Sequence, residues 1–213
     1  MTLSSLFQNF VFRAIAALPV LLIALPFHEC AHGYTAYLLG DNTAKLSGRL
    51  TLNPFRHLDL VGSLGILFLG FGWANPVPVN PWNFKHRKGD MAITALAGPL
   101  SNLLLAFVSL FILAACGKLL NTSSTAYMYL TFFMEYFAML NISLCVFNLI
   151  PIPPLDGSRL LAVLLPENAF AAFERFGPVP AMILIFVFWQ YISTPISNIT
   201  SYIFTGFYNF FGL

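Results

Sequence analysis

His28 and His32 stand four residues apart, with a carboxylate between them, in the run His28-Glu29-Cys30-Ala31-His32. On a helix this spacing brings both imidazoles to one face, where they can grip a single metal ion. Glu29 lies beside them, in position to take a proton from a water that the metal has polarised. The preceding residues, AALPVLLIALPF, and the following ones, GYTAYLLG, are apolar. Ionisable groups at membrane depth are expensive, and function is the default explanation for them.

A catalytic zinc takes three protein ligands and leaves a fourth position open, so a third residue is required. Asp156 is the best candidate. It ends the run Asn148-Leu149-Ile150-Pro151-Ile152-Pro153-Pro154-Leu155-Asp156-Gly157, in which the prolines remove backbone donors and stop a helix. Irregular backbone at membrane depth is tolerated where it lines a cavity or is buried in protein. Asp is also a common turn residue, which is the plainer reading of this position. Asp41, Asp59, His57 and His86 are weaker rivals because they fall in surface segments. Glu135 would serve if the third ligand were a glutamate, but it lies farther up its span.

The chain that positions these groups has 213 residues, 58% hydrophobic and only 8% charged. A soluble domain carries about 25% charged residues. This composition indicates an integral membrane protein forming a single domain over 1–213, with lipid bilayer as a partner. The net charge of +2 gives no reason to expect nucleic acid. Cys30, Cys116 and Cys145 have no CxxC spacing and read as free, buried packing residues. No basic segment precedes the first apolar run, so residue 1 onward reads as mature protein without a signal peptide.

The fold class expected is all-α and polytopic, with about four transmembrane helices and a small membrane-dipping β region. The spans fall at about 9–39, 91–115, 126–150 and 179–206. Pro19 and Pro26 interrupt the first softly, and Pro195 kinks the last. Between spans one and two, Lys45, Ser47, Arg49, Thr51 and Asn53 alternate with Leu46, Gly48, Leu50 and Leu52, a period that predicts a strand. Residues 61–72 are apolar but too short to span. The prolines at 76 and 78 forbid helix in Trp73–Asn80. Residues 44–80 therefore read as a sheet or hairpin dipping into the membrane surface. Residues 158–177 form an amphipathic connector.

Most basic residues fall on one side of this arrangement, among them Lys45, Arg49, Arg56, Lys85, Arg87, Lys88 and Arg159. The positive-inside rule makes that side cytoplasmic. His28, His32 and Asp156 then converge at similar depth, with water reaching them from the cytoplasm. Arg13 and Glu135 share a depth near the opposite face, where they either form an ion pair or snorkel separately to the outer headgroups.

The segment Ala97-Gly98-Pro99-Leu100-Ser101-Asn102 reads as close helix packing, with Asn102 as an interhelix hydrogen-bonder. Taken in order, HECAH, GWANPVPVN, AGPLSN and NLIPIPPLDG resemble the site-2 protease family of intramembrane zinc metalloproteases. The match covers residues 28–157, about three fifths of the chain. The resemblance implies one Zn2+ per chain held by His28, His32 and Asp156, with Glu29 as general base. It further implies that Asn148 lies near the scissile carbonyl. Residues Pro76 to Asn80 resemble the family's membrane-dipping β region. The substrate implied is a transmembrane protein segment, cut in the plasma membrane. Arg49, Pro76, Pro78 and Asn80 are candidate substrate-binding positions, on an exposed edge that would pair with an unwound chain. No PDZ or CBS domain is visible, so the chain resembles a minimal member. The rival class is a non-enzymatic membrane metal-binding or transport protein, which has no evident need for Glu29.

Overall fold

Residues 18–38 run as one unbroken helical rod, wound in two ways. Pro26 has no N–H for the carbonyl one turn earlier. The turn ahead of it, Val20–Ala24, is a π-helix, and the Leu25 amide reaches back to the Val20 carbonyl. Regular α-helix then follows over Leu25–Leu38, here α1, which carries the His-Glu-His run. The computed structural model describes residues 18–69, 72–120, 122–166, 183, 185 and 187–213. The expected span over 9–39 is therefore seen from residue 18.

Among the described residues six further α-helices follow: α2, Thr43–Leu46; α3, Leu60–Leu69; α4, Arg87–Leu119; α5, Thr125–Asn148; α6, Gly157–Leu164; and α7, Trp189–Phe211. The fold among the described residues is all-α. Spans expected at 91–115 and 126–150 correspond to α4 and α5, and both helices are long and apolar enough to cross a bilayer. At its helical rise α4 is about 50 Å long, more than the roughly 30 Å of a hydrocarbon core. Of the stretch expected to span at 179–206, the part from Trp189 lies in α7, with Pro195 inside that helix. Of the connector, α6 is described and carries Arg159; residues 167–182 lie outside the described ones.

The strand expected over 45–53 does not form. Residues 43–46 are helical instead, and the segment to 53 is turn and irregular chain. The alternation there was outcompeted by local bonds to a short acidic side chain. Buried Asp41 Oδ1 accepts from the Thr43 amide at 3.0 Å and starts the turn. Residues 72–80 lack helix, as their prolines require. A single antiparallel bridge pairs Leu58 with Ala74.

Helix α4 is the central element, packed on α1, α5 and α6, with α7 against α5. Over its first two thirds its inward face is made of small and polar residues, Thr94, Ala95, Gly98, Asn102, Ala106 and Ser109, all buried. Its outward face carries Leu100, Leu104 and Phe111, each more than half exposed. Small residues inside and large apolar ones outside suit lipid as the solvent. The innermost cluster joins Ala106, Leu110 and Leu113 to Ala138 and Ile142 of α5, with Phe204 and Phe207 of α7 packed on it.

Asp41 ties the extended segment to the end of α1. Its Oδ2 accepts from the Asn80 amide at 2.7 Å, and its Oδ1 from Asn83 Nδ2 at 2.7 Å. Burial raises the pKa of this carboxyl, but its hydrogen bonds outweigh burial and hold it below the usual carboxylate range. The stabilisation is thus present above an unfolded pKa of about 3.9 and is lost as pH falls through the lower folded value. Asp41→Ala removes the acceptor for several part-buried donors, at a cost on the order of 1–2 kcal/mol. The expected result is a lower melting temperature at pH 7, with the gap to the native protein narrowing as pH falls below the unfolded pKa of about 3.9. Equal melting temperatures at pH 7 would remove Asp41 from this role.

Candidate metal centre

The His-Glu-His turn of α1 presents both imidazoles to α4. His28 and His32 are buried, and Asp156 is nearly as deep. His28 Nε2 and His32 Nε2 lie 3.0 Å apart. Asp156 Oδ2 lies 3.1 Å from the first and 3.2 Å from the second. Three donor atoms from residues 28, 32 and 156 thus form a nearly equilateral triangle.

The far side of each ring decides what these atoms are. His32 Nδ1 is 2.7 Å from the Thr94 carbonyl oxygen, and His28 Nδ1 is 2.6 Å from Asn102 Oδ1. Carbonyl oxygens only accept, so both Nδ1 atoms carry the ring proton and donate. Both Nε2 atoms are then bare lone pairs, and neither can donate to the other or to the carboxylate. Asp156 Oδ2 is accordingly a buried acceptor with no hydrogen-bond partner. Three lone pairs facing one another in a dry site are unfavourable without a cation between them. Tetrahedral zinc with bonds of about 2.0–2.1 Å needs donors about 3.3–3.4 Å apart, close to the separations found. The residues fit that ion.

Two glycines allow the convergence. A Cβ on Gly98 would stand 2.3 Å from His32 Nε2 and 2.6 Å from His28 Cε1, so α4 can lie on the imidazoles only as glycine. A Cβ on Gly157 would meet the Leu149 carbonyl oxygen at 2.2 Å. Its absence lets the chain after α5 fold back and place Asp156 beside α1.

A model of peptidase family M50 matches residues 115–189. "Putative zinc metalloprotease YwhC" of Bacillus subtilis is 40% identical over 203 residues, covering 90% of this chain and 91% of that protein. The chain belongs to peptidase family M50. It is therefore a site-2 protease, an intramembrane zinc metalloprotease. "Putative zinc metalloprotease Rip2" of Mycobacterium tuberculosis is 33% identical over 172 residues, covering 76% of this chain and 63% of that protein. The relative of the same name from Mycolicibacterium smegmatis is 30% identical over 174 residues, covering 77% and 64%. No solved structure matches the chain. Family membership does not favour the transport alternative.

Asp41, Asp59, His57 and Glu135, also weighed as ligands of this M50 peptidase, have partners elsewhere. Asp41 holds the loop described above. Asp59 Oδ1 accepts from the Gly62 amide at 2.7 Å, and buried His57 reaches the Thr51 carbonyl with Nε2 at 2.7 Å. Glu135 is hydrogen-bonded to the side chain of Tyr208 on α7. A pairing with Arg13 lies outside the described residues. The cysteines are free, but only Cys145 is buried; Cys30 and Cys116 are half-buried, which corrects the expectation for those two.

Glu29 is half-buried on the same turn, and its Oε2 accepts from the Val77 amide at 2.8 Å. Arg49 Nη2 donates to the carbonyls of Asn75 and Pro76 at 2.6 and 3.2 Å. The extended segment is thus pinned beside the end of α1 by Arg49, Glu29 and Asp41 in turn. Asn148 ends α5, where its Nδ2 donates back to the Leu144 carbonyl at 3.0 Å. No contact among the described residues joins it to the triangle.

Thr94, Gly98, Asn141 and the Val77 amide belong to the centre although sequence reasoning did not assign them to it. The signal for Asn141 was its polarity inside an apolar span, and for Gly98 its place in AGPLSN.

Proposed function

We propose that His28, His32 and Asp156 hold one zinc ion and that Glu29 is the general base of a protease cutting membrane-embedded segments of other proteins. The supporting observation is the triangle of unprotonated donors at 3.0 to 3.2 Å. When bound, zinc lowers the pKa of a coordinated water towards about 7 and polarises a peptide carbonyl. Glu29 accepts the proton of the attacking water and passes it to the departing amine. Its Oε2 is held by Val77, which leaves Oε1 to do this. The Asn148 amide, once released from Leu144, stabilises charge developing on the scissile carbonyl.

The substrate enters as an unwound strand along residues 74–80. Pro76 and Pro78 cannot donate, which suits an edge position. Arg49 and Asn80 shape this edge by bonding the protein's own backbone and Asp41. Engineered cysteines at 77 or 79 are expected to crosslink to a substrate cysteine near the cut bond. Crosslinks confined to α7 would refute the edge. The excess of basic residues in the loops supports a four-span reading with those loops, and the zinc site near them, on the cytoplasmic side of the plasma membrane.

The ligand set is tested by metal analysis. Asp156→Ala and His32→Ala should each lower zinc from one ion per chain to less than about a tenth, since a two-ligand site binds weakly. Full occupancy in Asp156→Ala would exclude it as a ligand.

A further inference from the structure

His28 owes its orientation to two asparagines from different helices, both fully buried. The direction of this chain of amides is set at its far end. Asn141 Nδ2 lies 2.9 Å from the Phe137 carbonyl, which can only accept, so the Asn141 amide group must point there. Asn141 Oδ1 therefore faces Asn102, whose Nδ2 donates to it at 3.1 Å. Asn102 Oδ1 is then left facing His28 Nδ1 at 2.6 Å. A carbonyl in helix α5 thereby determines which nitrogen of an imidazole on α1 carries its proton, through α4.

We propose that Asn141 and Asn102 form an oriented amide relay that holds His28 as the Nδ1–H tautomer and keeps its Nε2 lone pair free for zinc. They are positioning residues, acting through His28, and the inference rests on His28 being a ligand. Without Asn141, the Asn102 amide can turn over at no loss of shape. Its NH2 then faces Nδ1, and the ring proton moves to Nε2, where it blocks the metal. Buried partners of metal-binding histidines commonly change affinity by about 10- to 100-fold. An apolar residue at 141 should fall in that range although it lies two side chains away from the metal.

The experiment measures zinc dissociation constants by chelator competition on the purified full chain, alongside the melting temperature of the zinc-free protein. Asn141→Leu is expected to weaken zinc by about 10- to 100-fold. Asn141→Asp should recover affinity to within a few fold. Buried there, the carboxyl is neutral, so its O–H can donate to Phe137 and its carbonyl can accept from Asn102. His28→Ala should abolish tight binding. A merely structural role for Asn141 predicts that both variants lose zinc in step with melting temperature, which would overturn the relay. So would native affinity in Asn141→Leu. Native affinity in His28→Ala would instead overturn the ligand assignment beneath it, and the two failures are told apart by this third variant.

Discussion

Alanine at position 98 is expected to abolish zinc binding, from one ion per chain to less than about a tenth, while helix content stays native. The added carbon would stand 2.3 Å from His32 Nε2, 2.5 Å from His32 Cε1 and 2.6 Å from His28 Cε1. Such separations are far inside van der Waals contact, so either the rings or the helix must move. The rings are tethered on their far sides to Thr94 and Asn102, and yielding breaks those bonds and rotates the lone pairs away. Withdrawing α4 would open the packing against α1, at a cost typical of overpacked cores, about 1–3 kcal/mol. Either response spoils the triangle, and cleavage should disappear with the metal. Gly206→Ala is the matched control, because nothing lies within 4 Å of its added carbon. Metal analysis that finds one zinc per chain in Gly98→Ala, with native turnover, would show that the helices are not this close.

Glu29→Gln should separate binding from chemistry. A glutamine oxygen can still accept from the Val77 amide, so the turn and the extended segment are kept. The amide cannot take a proton, and general acid–base catalysis is worth about 10²- to 10⁴-fold. Turnover in a reconstituted membrane should fall by at least that range, with zinc content unchanged. The inactive variant should also retain uncleaved substrate through purification. Cleavage within tenfold of native would deny Glu29 its role as base. Loss of zinc together with activity would mean that Glu29 supports the metal site rather than the proton transfer.

Much of this centre was legible because its residues are chemically conspicuous. Two histidines and a glutamate in an apolar span have few structural explanations, and helical spacing alone places the histidines on one face. Asp156 was legible for a related reason, as a carboxylate after a proline-stopped helix. The stretches that became α4 and α5 could be read because length and apolar character suffice to identify a span. The alternation over 45–53 misled because its period was real but had no partner strand. Asp41 offered the local backbone a nearer set of bonds, and a short helical turn formed instead.

The sequence by itself determined the type of chemistry: metal-ligating and proton-accepting side chains, their spacing on one helix, and an apolar solvent around them. Periodicity and composition are local properties, and they carry that information directly. Only the tertiary structure decided that Asp156, more than a hundred residues away, completes a triangle with edges near 3.1 Å. It alone made Gly98 the contact surface of the imidazoles, aimed Asn102 and Asn141 through three helices at one ring nitrogen, and laid the Val77 amide on Glu29. The physical reason is that each of these depends on a distance between segments remote in sequence. Spacing along a chain says which atoms can meet, and helix packing at close range selects the ones that do.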